Sequence, residues 1–148
     1  MEVLVGIISF LFLGLILISP WVILKFLKGK QIAIKFLLYL LCAIPSLFLL
    51  MLAFAWWGDY SDYLLLEHYG FDWNTEQTIE ERFNNVLPEN IERVKQLNVS
   101  YFGIGWPLKA IFGTTAFSPY LFLVFIVQIL ISWTKRKTNS LQSQNSED

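Results

Sequence analysis

The sequence predicts an all-α integral membrane protein, with three transmembrane helices and a small extracytoplasmic cap of short amphipathic helices. Three observations lead there. Hydrophobic residues fill 55% of the 148 positions and charged residues 16%, whereas an ordinary globular domain carries about 25% charged residues. Three apolar runs stand out, each near the roughly 20 residues that cross ~30 Å of hydrocarbon at 1.5 Å per residue. Charge is also segregated. Nine acids face four basic residues between Asp59 and Lys109, while the connector from Lys25 to Lys35 holds Lys25, Lys28, Lys30 and Lys35 and no acid, and Lys135, Arg136 and Lys137 follow the last apolar run. Because Lys and Arg in short loops mark the cytoplasmic side, the N-terminus is placed outside, the first loop inside, the acidic stretch outside and the C-terminus inside. A bacterial cytoplasmic membrane is the simplest setting, and residues 1–137 read as a single membrane domain.

The first span is residues 3–24, 22 positions without a charge. No basic segment precedes it, so it reads as a retained helix and not as a cleaved signal peptide. Gly6 and Gly14 are expected to be points of close helix contact, and Pro20 is tolerated near the far end. The lysine-rich connector turns at Gly29 and can also attract anionic headgroups. Residues 32–57 form the second span, with Lys35 snorkelling to the cytoplasmic surface. Cys42, Ser46 and Ala53 supply small side chains on one stripe for a neighbouring helix, and Pro45 is expected to kink the span.

Trp56, Trp57 and Tyr60 mark the far interface, where amphipathic rings prefer the headgroup level. The outer loop is residues 58–116. Within it, Asp59 to Tyr69 extends the second helix until Gly70 ends it. Asn74 with Gln77 reads as a capping pair opening an amphipathic helix over residues 75–87. Pro88 opens another short helix. The third span is expected over residues 117–134, with Ser118-Pro119 as its cap and first position; the competing reading is one longer helix from about Lys109 to Trp133, kinked at Pro119. Gly113, Thr114 and Thr115 argue for a break before it. Residues 138–148 are read as a disordered cytoplasmic tail.

Function is sought in the cap. Its apolar stripes, Ile79, Phe83, Leu87, Ile91 and Val94, flanked by Arg82 and Arg93, fit a non-catalytic protein that docks a membrane or periplasmic partner: an accessory subunit, a regulator or an immunity-type factor. Packing within the cap would use the same stripes. A small homo-oligomeric channel or transport component is the first alternative, with Gln128 as its polar side chain within the spans, although an interhelical hydrogen bond explains that amide equally. The second alternative is a membrane enzyme using His68 with Asp62 or Asp72, whose spacing matches no zinc pattern. The sequence implies no cofactor or metal. A single cysteine excludes an intrachain disulfide, and without a basic face there is no case for nucleic acid.

Overall fold

The computed structural model describes the backbone of residues 1–74, 78 and 80–144, with side chains described as far as Thr134. The expectations for residues 75–77, for Ile79 and for residues 145–148 lie outside the described residues. Four helices form: α1 (Glu2–Phe26), α2 (Ile32–His68), α3 (Ile91–Phe102) and α4 (Trp106–Gln144). Single 3-10 turns occupy Glu81–Phe83 and Pro88–Asn90. Three of the helices are long and apolar enough to cross a membrane, the third over Trp106–Thr134. In the most apolar window of each, 11%, 22% and 17% of the residues are buried. Such an apolar exterior suits hydrocarbon far better than water.

The seam between α1, α2 and α4 is built on a stripe of period four along α2: Tyr39, Ala43, Leu47, Met51 and Ala55 are all buried. Ile16 and Leu24 of α1 and Ala110, Leu121, Val124 and Phe125 of α4 complete the packed cluster. Lipid tails are as apolar as these side chains, so burial alone drives little association between such helices. Dispersion and a few polar contacts must hold them. The Tyr39 hydroxyl donates to the Leu121 carbonyl at 2.9 Å, and the Tyr39 ring stacks on Phe125. On the other side Trp21 Nε1 donates to the Tyr120 hydroxyl at 3.3 Å, which in turn donates to the Leu17 carbonyl at 2.8 Å. Each such bond contributes on the order of 0.6 kcal/mol in a bilayer.

The small-residue stripe lies beside this seam and not on it. Cys42 is exposed, and Ser46 and Ala53 are half-buried. A Cβ built on Gly6 or Gly14 would meet nothing within 4 Å, so neither glycine is a point of close helix approach within the chain. That role falls to Gly113 of α4, where an added Cβ would sit 3.0 Å from the Met51 sulfur.

All three long helices continue through their prolines, Pro20, Pro45 and Pro119. At Pro20 and Pro119 the local chemistry is visible. A helical proline removes the N–H that would bond the carbonyl four residues earlier, which is Ile16 for one and Thr115 for the other. Ser19 Oγ donates to the Ile16 carbonyl at 3.1 Å and Ser118 Oγ to the Thr115 carbonyl at 2.9 Å. Thr114 and Thr115 likewise bond back to Ala110 and Ile111. The third long helix therefore does not begin at residue 117. Ser118 is a bridge inside α4 where a cap was expected, and the helix starts eleven residues earlier at Trp106. At the other end α4 continues as helix to Gln144, through most of the segment expected to be disordered.

Beyond the aromatic level α2 continues to His68, as its expected extension required, and the chain turns at Gly70 with φ +84. An added Cβ there would also lie 2.9 Å from the Asn85 carbonyl, so Gly70 is doubly constrained. The cap of short helices becomes a compact head in which α3 packs on this extension. Leu65, Leu66, Phe71, Val86, Val94 and Leu97 form its core, with Val5 of α1 packed against it. The described part of the expected helix over residues 75–87 holds only the turn Glu81–Phe83. Ahead of this turn Thr78 and Glu81 bond each other reciprocally: the Thr78 N–H donates to Glu81 at 2.7 Å and the Glu81 N–H to Thr78 Oγ1 at 3.3 Å. The expected pairing of Asn74 with Gln77 lies outside the described residues; the Asn74 N–H donates to Asp72 at 2.9 Å, an Asx turn.

Candidate functional site

The head presents a groove of about 450 Å³ lined by Glu80, Phe83, Ile91, Lys95, Asn98 and Val99. Helical periodicity explains its composition. On α3, Val94, Leu97 and Tyr101 point toward α2, which leaves Ile91, Lys95, Asn98 and Val99 along the neighbouring side. Phe83 closes the groove from the 3-10 turn, held edge-on by Phe71 at 5.4 Å. Val99 is 71% exposed and Leu87 60% exposed. Apolar surface thus remains uncovered on a part of the chain that lies beyond the apolar spans.

The expected docking residues divide here. Phe83 and Ile91 line the groove, and Leu87 is free at the surface. Val94 is fully buried in the head core, so its stripe position serves folding and not docking. Arg93 leaves the groove altogether, because its Nε bonds Glu2 at 3.0 Å and ties α3 to the start of α1. The same carboxylate faces the Tyr69 hydroxyl, whose pKa is raised by burial and by that neighbouring acid. Arg82 packs inward, with a buried Nε that finds no hydrogen-bond partner among the described residues. At Glu81 the bonds from Thr78 hold the carboxyl below its ordinary range.

A second polar feature, not singled out by the sequence, lies where α2 and α4 emerge at the aromatic level. Asp59 and Asp62 sit one turn apart on α2. Lys109 Nζ, from the first turn of α4, donates to Asp59 at 2.6 Å and to the Ser100 carbonyl at 2.8 Å. Ser100 Oγ donates to Asp62 at 2.6 Å. The four residues join α2, α3 and α4 in one chain of hydrogen bonds. Below them a cleft of about 380 Å³ runs between α2 and α4 past Gly58 and Ala55 to Met51, Gly113 and Phe117, charged at its mouth and apolar below. Beside it Trp56, Tyr60, Tyr63, Tyr101 and Trp106 form an aromatic recess that Asp59 also lines. Ser100 belongs to the sequence Asn98-Val99-Ser100; its hydroxyl is committed to Asp62.

The constellation drawn around His68 does not assemble. His68 is exposed, with its ring beside Tyr69. Asp62 is bonded to Ser100 and Asp72 to the Asn74 N–H. Among the described residues no group of His, Cys, Asp and Glu is placed to hold a metal ion. Gln128 lies toward the lysine-bearing end of α4, near Lys35 and one turn from Phe125, and not at the middle of the span. No family model matches the chain, nor does any curated protein or solved structure.

Proposed function

We propose that this is a non-catalytic membrane protein whose head, on the extracytoplasmic side, docks a segment of another membrane or periplasmic protein. The groove of Phe83, Ile91 and Val99 is the observation that supports this reading. Folding has already buried the best apolar residues of the head, yet Val99 stays exposed beside half-buried Phe83 and Ile91, and the groove is rimmed by charges of both signs, Glu80 and Lys95. An apolar centre ringed by polar groups is the usual anatomy of a protein interface. The partner that fits is an amphipathic segment offering one or two bulky apolar side chains between charged ones. The lysines clustered at the opposite end of the bundle favour the head-out orientation. A reporter fused after Asp148 that is active only outside the cytoplasm would overturn the orientation.

The docking reading is tested in cells with a photoreactive residue at position 98. The expected result is one discrete adduct to another polypeptide, weakened at least tenfold by Val99→Asp and missing when the photoreactive residue stands at exposed Gln96 on the other side of α3. Val99→Asp should leave detergent unfolding unchanged, because Val99 is exposed. An adduct equally strong from position 96, or indifferent to Val99→Asp, removes the groove as the docking surface. An adduct containing a second copy of the chain would replace the partner with a homo-oligomer.

A further inference from the structure

At the lysine-bearing end of the bundle the connector between α1 and α2 does more than carry charge. Lys28, Lys30 and Lys35 line one recess of about 370 Å³, together with Gln128 and Ser132 of α4. Gly29, at φ +83, makes the turn between the first two of these lysines, which line the recess with α4 residues Phe125 to Trp133. The start of α2 opens on the same space at Ile32, and Gln31, its cap residue, contributes no side-chain bond to the first turn. A helix N-terminus carries partial positive charge and unbonded N–H groups, so it adds to the field of the three ammonium groups. Among the described residues no acid lines the recess. Below the charges the wall is apolar, made by Phe125, Ile129 and Ile131, and Trp133 stands at the rim, 69% exposed.

Topology alone does not ask for this. Lys25 serves the positive-inside rule as well as any of the others, yet it stays at the surface in the last turn of α1, away from the recess. Three lysines and the Gln128 amide lining one recess with an apolar wall suit a phosphate-bearing anion whose charge sits among the lysines; the Ser132 hydroxyl is already committed to the Gln128 carbonyl at 2.8 Å. We propose that this recess binds a phosphate group, either in the headgroup of an anionic phospholipid lying along α4 or as a free phosphate anion. A basic pocket between spans at the bilayer surface is the form such recognition takes.

The full chain, purified in dodecylmaltoside, is titrated with fluorescent short-chain phosphatidylglycerol and with the matching phosphatidylcholine. Phosphatidylglycerol should bind at least tenfold more tightly, with an affinity that falls as salt rises. Lys28→Gln with Lys35→Gln should remove most of that preference, and Lys25→Gln should leave it intact. Because removing lysines can alter insertion, Ser132→Trp provides a second variant. It fills the recess without changing any charge and should abolish the preference while far-UV circular dichroism stays unchanged. Millimolar inorganic phosphate that displaces the lipid identifies a free anion as a ligand of the recess, whereas retained lipid identifies the headgroup as the ligand. Equal binding of the two lipids, equal loss in Lys25→Gln, or full preference in Ser132→Trp would overturn the proposal.

Discussion

Replacing Lys109 by Met tests whether the polar cluster at the emerging ends of α2 and α4 holds the head onto the bundle. The substitution keeps the length and apolar stem of the side chain and deletes one ammonium group. That group makes two bonds, to Asp59 at 2.6 Å and to the Ser100 carbonyl at 2.8 Å, and the side chains of Lys109 and Asp59 are 30% and 15% exposed. Removing one partner of a fully buried pair costs about 3–5 kcal/mol, and of a fully exposed pair about 0.2–1 kcal/mol. The intermediate exposure, and a carboxylate left nearly buried, place the expected loss at about 2 kcal/mol. The assay is unfolding by dodecyl sulfate titration in dodecylmaltoside, followed by far-UV circular dichroism. A double-mutant cycle with Asp59→Asn should return a coupling of about 1–2 kcal/mol, because the second substitution removes the charge that the first leaves unpaired. A loss below about 0.5 kcal/mol, or strict additivity, would mean that solvent screens the pair and that α3 is anchored by its apolar face alone.

Two further outcomes follow from the backbone chemistry and are read by the same titration. Ser118→Ala strips the donor from the Thr115 carbonyl and should cost roughly 0.6–1 kcal/mol; adding Pro119→Ala restores an N–H to that carbonyl and should recover the loss. If Ser118→Ala is neutral and the double variant no more stable than it, the serine is not repairing the helix. Gly70→Ala should destabilise by about 1–3 kcal/mol, from its positive φ together with the approach of the Asn85 carbonyl. Gly6→Ala and Gly14→Ala, which meet open space, should be close to neutral; equal effects at all three positions would contradict the geometry.

The three long apolar helices were legible because length and apolar composition can both be counted along the chain. What escaped was any feature that depends on which side of a helix faces its neighbour. In α2 nearly every position is apolar, so no contrast in hydropathy separates the buried Tyr39, Ala43, Leu47, Met51 and Ala55 from the small-residue positions beside them. The period of four was there to see in Ala43 and Ala55. Its meaning required Gly113, on a helix whose start had been placed too late.

That misplaced start shows most clearly where the rules for water-soluble helices fail. Ser before Pro is an N-cap signal when the preceding backbone can turn to water. In hydrocarbon the same pair has a second use, since a serine hydroxyl one residue before the proline reaches the carbonyl that the ring has orphaned. Ser19-Pro20 and Ser118-Pro119 both take that second use. Had the first pair been read as a bridge, the identical second pair would have argued for continuity. The longer helix from about Lys109 would then have been preferred to the broken one, with Lys109 in its first turn. A lone lysine at that level, opposite two aspartates one turn apart on α2, already predicts an ion pair across helices. The polar cluster was therefore hidden less by sequence separation than by one proline taken for a boundary.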